Sequence, residues 1–122
     1  MKKIKNIKEV VIKEEDKEPI KYRVVGLSSG EKTNNTLYMY LEPTAYLTIV
    51  VPNFPLNNLE HSLKEINVKS TSITLSTDSI KKEYEVLGGN IIKQSKEIMK
   101  LEMELIDKLT KKTSSIEIIA IK

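Results

Sequence analysis

The chain has no cysteine. That excludes disulfides and thiolate chemistry alike, and sets a reducing, cytoplasmic location as the expectation. It has one histidine, His61, and one arginine, Arg23, among 20 basic residues. With a single imidazole and no thiol, zinc lacks a ligand set. The acidic triplet Glu14-Glu15-Asp16 lacks the glycine and the later bidentate glutamate of a calcium loop. Neither a metal nor a cofactor is therefore expected. "GLSSG" (Gly26 to Gly30) has the letters of a serine elbow, but "EKTNNT" follows where a helix should begin, and His61 is the sole candidate base. These absences point away from an enzyme.

Long apolar runs are missing as well. No segment approaches the roughly 18 consecutive apolar residues of a membrane-spanning helix, so no membrane partner is expected. The opening "MKKIKNIKEVVIKEED" starts like a signal peptide, but charges interrupt its apolar run and no small-residue cleavage site follows, so it reads as a strand. Charge of one sign is not in excess: 20 Lys and Arg stand against 17 Asp and Glu, a net of +3. The scarcity of arginine beside so many Ile, Asn and Lys residues resembles the coding bias of an AT-rich bacterial or phage genome.

What is present is one domain's worth of chain, 122 residues and 13.9 kDa, with two β-rich runs at its start. Ile4 to Ile12 and Ile20 to Leu27 flank a charged turn ending in Pro19 and predict a hairpin. A polar loop, Leu27 to Thr36, follows. Leu37, Met39 and Leu41 alternate with Tyr38 and Tyr40, and the chain then turns at Glu42-Pro43-Thr44 into Ala45 to Val51, predicting a second hairpin. Beyond Pro52 and Pro55, Leu59, Leu63 and Ile66 predict a short helix capped by Asn57 or Asn58, with His61 facing solvent. Ile73 and Leu75 mark a half-exposed strand, and Ser115 to Ile121 a closing one.

Between those two strands, Ser79 to Lys112 reads as a long amphipathic helix. Heptads with Tyr84, Ile91, Ile98 and Leu105 at a, and Ile80, Leu87, Gln94 and Leu101 at d, form a coiled-coil-like seam. Gly88 and Gly89 interrupt it and predict a break into two helices. The fold class expected is thus α+β: an antiparallel or mixed sheet of about six strands, one short helix, and a long C-terminal helix.

The function expected from these residues is non-enzymatic binding, by an adaptor, inhibitor or assembly factor of a bacterium, phage or mobile element. It would act as a homodimer or higher homo-oligomer through Tyr84, Leu87, Ile91, Gln94, Ile98, Leu101 and Leu105. Tyr22, Arg23, Tyr38, Tyr40 and Tyr46 are the candidate ligand-binding or partner-binding residues. The alternative is a module that binds nucleic acid or a nucleotide-like ligand, stacking bases on that tyrosine-bearing face or in a pocket between subunits.

Overall fold

The computed structural model describes residues 6–29, 36–42, 44–50 and 72–121. They form eight strands: β1 (Asn6–Glu14), β2 (Ile20–Ser29), β3 (Thr36–Glu42), β4 (Ala45–Val50), β5 (Ser72–Thr77), β6 (Lys81–Gln94), β7 (Ile98–Asp107) and β8 (Thr113–Ile121). Each strand pairs antiparallel with the next, and β8 returns to β1, from Asn6↔Ile121 to Glu14↔Ser114, so the sheet closes into an up-and-down barrel. Closure removes the exposed edges that an open sheet would present.

Alternation along the strands decides which side chains face inward. In β3, Leu37, Met39 and Leu41 are buried while Tyr38, Tyr40 and Glu42 are exposed. In β7, Met99, Leu101, Met103 and Leu105 are buried, whereas Lys100, Glu102 and Glu104 lie on the outside. Ile116, Ile118 and Ala120 of β8 and Ala45, Leu47 and Ile49 of β4 complete opposite walls of a single apolar cluster. Eight strands give a barrel just wide enough for side chains to fill, and here Tyr84, three methionines and the branched aliphatics occupy that space.

Bulges adjust the walls. Val25 in β2, and Leu87 and Ile92 in β6, are each an extra residue between consecutive pairs of the register. All three are exposed, as expected of an unpaired residue expelled from the ladder. Among the described residues β5 pairs with β6 only from Lys81 to Glu85, so β7 is the partner of the upper half of β6.

The α+β expectation is overturned, because the described residues contain no helix. The segment read as a long helix, Ser79 to Lys112, is the hairpin of β6 and β7. Its Leu, Met, Glu and Lys residues are good helix formers, but that preference is weak beside burial. On a helix Met99, Leu101, Met103 and Leu105 would spread around the axis, whereas a strand delivers all four to one core. Gly88 and Gly89 do not end a helix; they follow the Leu87 bulge inside β6, opposite Glu104 and Met103. The expected hairpins at the start of the chain, the strand at Ile73 and Leu75, and the closing strand coincide with β1 to β5 and β8. The short helix expected near Asn57 to Ile66, with His61, lies outside the described residues.

Candidate functional site

The outer face of β3 and β4 gathers three of the tyrosines. Tyr38 and Tyr40 point outward from alternate positions of β3, and Tyr46 stands opposite Tyr40 on β4. The Tyr40 and Tyr46 rings meet edge to face, with centroids 5.5 Å apart and planes at 83°. That arrangement suits the ring quadrupoles and leaves both rings largely accessible. Tyr40 also covers Gly26 of β2, where a Cβ would come within 3.2 Å of ring Cδ2. Around the rings stand hydroxyls: Ser28 and Thr48 opposite Tyr38, Ser76 opposite Tyr46, and Thr74 opposite Thr48. The patch carries no charge until its border, where Arg23 pairs with Glu42.

Tyr22 does not join this face. Alternation places it and Arg23 on opposite sides of the β2 wall, and Tyr22 is buried in the barrel core. The structure thus brings together Tyr38, Tyr40 and Tyr46, sets Arg23 at their border, and removes Tyr22 to the interior.

The residues expected to form an oligomer seam are dispersed once the helix is gone. Tyr84, Leu101 and Leu105 belong to the core, and Ile91 packs against it. Leu87 is an exposed bulge, Gln94 is exposed at the end of β6, and Ile98 is half-buried at the start of β7.

A second polar constellation closes one end of the barrel. Glu14, the last residue of β1, accepts hydrogen bonds at Oε1 from the Lys82 ammonium and from the Tyr84 hydroxyl, the latter at 3.2 Å. Lys17 lies 3.2 Å from Oε2. The bond from Lys82, aided by Lys17, outweighs desolvation and holds the Glu14 carboxyl below its ordinary range. Burial, and secondarily the negative charge of Glu14, push the Tyr84 phenol well above its ordinary range. Glu14 is thereby kept ionised and Tyr84 neutral, the opposite of a carboxyl or phenol tuned for proton transfer near neutral pH. The group fits a polar plug on an apolar core. In the sequence only the position of Glu14 directly after "VVIK" hinted at a carboxylate where a strand leaves the core.

Among the described residues no group of three or more His, Cys, Asp or Glu side chains could hold a metal ion. No helix among the described residues is long and apolar enough to cross a membrane. Comparison with protein-family models, with curated proteins and with solved structures found no match to this chain.

Proposed function

We propose that this barrel works by binding rather than by catalysis, as an adaptor, inhibitor or assembly factor and as a homo-oligomer, and that it presents the Tyr38, Tyr40 and Tyr46 face to a protein partner. The observation that carries this reading is a division of labour between the two sides of the wall. The inside is filled by its own side chains, so recognition falls to the outside, where the exposed tyrosines form one uncharged patch. Tyrosine is the residue type that supplies large contact area at low entropy cost, with a hydroxyl that stays useful when buried in an interface. Nucleic acid, the alternative occupant, needs cations for its phosphates. At the border of the rings the Arg23 guanidinium is already paired with Glu42, and Lys81, two strands from Tyr46, lies 4.0 Å from Glu83.

A photo-crosslinking residue at Tyr46, compared with one at Glu85 on a different wall, tests this in the cells of origin. A discrete protein adduct from position 46 alone, lost when Tyr40→Ala is added, is the expected result. Adducts of equal yield from both positions, or none, would overturn the assignment. Salt-dependent binding of an oligothymidylate, abolished by Tyr40→Ala, would replace it with the nucleic-acid reading.

A further inference from the structure

Glu14 and the turns beside it lie at the barrel end where β1–β2, β3–β4, β5–β6 and β7–β8 are connected. At this end the two turns that flank the β1–β8 seam differ in the sign of their exposed charges, while the β5–β6 turn adds exposed Asp78 and Asp107 is engaged in capping its own turn. The β1–β2 turn carries Glu15, Asp16 and Glu18, and the β7–β8 turn carries Lys108, Lys111 and Lys112. All six are exposed, and none joins an ion pair among the described residues. The two turns share a small pocket that includes Glu15 from one and Lys112 from the other.

Between the lysines stands Leu109, 90% exposed, the most exposed large apolar residue described. Its position is not left to chance. Asp107 Oδ1 accepts the backbone N–H groups of Leu109 at 2.8 Å and Thr110 at 3.1 Å. Lys111 N–H donates to the Asp107 carbonyl, and Asp107 N–H to the carbonyl of Lys112, both at 2.9 Å. Lys108 N–H donates to the Glu83 carbonyl at 3.0 Å, which ties the turn to β6. A turn so thoroughly bonded presents its apolar side chain to water as a fixed feature. The acidic turn ends in its own apolar surface, exposed Pro19 and half-exposed Ile20.

We propose that this barrel end is a self-complementary interface, at which two copies meet about a two-fold axis with the lysine turn of each against the acidic turn of the other. Leu109 then packs on Pro19 and Ile20 of the second copy, and each sign of charge meets its opposite. An isologous contact requires one patch to contain both halves of every interaction, and this end does. A polyanion such as nucleic acid or an anionic bilayer would face the acidic turn as squarely as the lysine one, so neither matches the opposed charges of the two turns. The proposal rests on the homo-oligomer reading above and gives it a location.

Light scattering on three proteins tests it: the unaltered chain, Lys108→Glu/Lys112→Glu, and Glu15→Lys/Glu18→Lys, each checked for a cooperative thermal transition. The unaltered chain should have twice the mass of 13.9 kDa. Each charge-reversed variant should fall to that single mass, because like charges then face each other. Mixed one to one, the two variants should regain the doubled mass, since the reversed acidic turn of one fits the reversed lysine turn of the other. A dimer that survives both reversals, or variants that stay monomeric when mixed, would overturn this interface while leaving the homo-oligomer reading standing. An unaltered chain that is monomeric at every concentration would overturn both.

Discussion

Lys82 on β6 donates a hydrogen bond to Glu14 on β1, across the end of the barrel and between strands that are not neighbours in the sheet. The same carboxylate oxygen receives the Tyr84 hydroxyl from two residues further along β6. One acidic side chain therefore anchors two groups of the opposite wall. The Glu14 and Lys82 side chains are only 20% and 29% exposed, so solvent replaces a lost partner incompletely.

Glu14→Gln should cost about 1–3 kcal/mol at neutral pH, the usual penalty for removing one partner of a half-buried charged hydrogen bond. Its pH dependence has a definite sign. The folded carboxyl lies below its ordinary value of 4.5, so its contribution is complete above that value and is lost as pH falls through the folded value. Urea titrations between pH 7 and pH 3 should show a steeper loss of stability for the unaltered protein than for Glu14→Gln. Parallel curves would mean that Glu14 is solvated and anchors nothing.

Met103 distinguishes the strand from the helix expected of the same residues. Heptad spacing would set it away from the seam and toward solvent, whereas in β7 it is fully buried. Met103→Ala should therefore cost about 2–5 kcal/mol, as truncation of a buried methionine does. The neighbouring Glu102→Gln should change stability by less than about 0.5 kcal/mol. Chemical denaturation of the pair checks both values, and a silent Met103→Ala would contradict the register of β7.

Gly88 offers a gain. A Cβ there would meet nothing within 4 Å, and its φ is not positive, so alanine fits the backbone without strain. Gly88→Ala should stabilise the barrel by about 0.5–1 kcal/mol through the reduced freedom of the unfolded chain. At Gly26 the same change presses on the Tyr40 ring and should show no such gain. Thermal melts of the two variants side by side decide this.

Lys111 adopts φ of 62° in the β7–β8 turn, a left-handed conformation that costs a residue with a Cβ about 1–2 kcal/mol. Lys111→Gly should recover part of this and raise the melting temperature by a few degrees. Asp16, at φ of 63°, is the residue type that tolerates this region, and Asp16→Gly should gain less. Equal shifts for the two would remove side-chain chemistry from the explanation.

Much of the wall was legible. The alternation of Leu37, Met39 and Leu41 with Tyr38 and Tyr40 was enough to set the tyrosines outside and the aliphatics inside, and Pro19 marked the turn of the first hairpin. The second half was misread for a physical reason. "IMKLEMELID" alternates as strictly as β3, but it is built from helix-forming residues, and a heptad can be threaded through it. The bulges at Leu87 and Ile92 deepen the ambiguity, since each shifts the inward phase of β6 by one residue and hides its period of two. The same phase logic, applied to β2, would have separated Tyr22 from Arg23. The Glu14 plug was beyond reach, because Lys82 and Tyr84 come to it only when the sheet curls round on itself.

The pairing of β1 with β8 sets an order of events at synthesis. The partners of Ile7, Val10 and Ile12 are Ala120, Ile118 and Ile116, so β1 leaves the ribosome long before β8 and waits for it before its ladder is complete. Contacts so distant along the chain are slow to form, because loop closure opposes them until the whole ring is in place. During that interval the inward face of β1 is apolar and unpaired on one side, which is when a nascent chain is most exposed to pairing with a neighbour. Lys8, Glu9 and Lys13 put charges along this strand, and such charges discourage edge-to-edge association while the chain is still open.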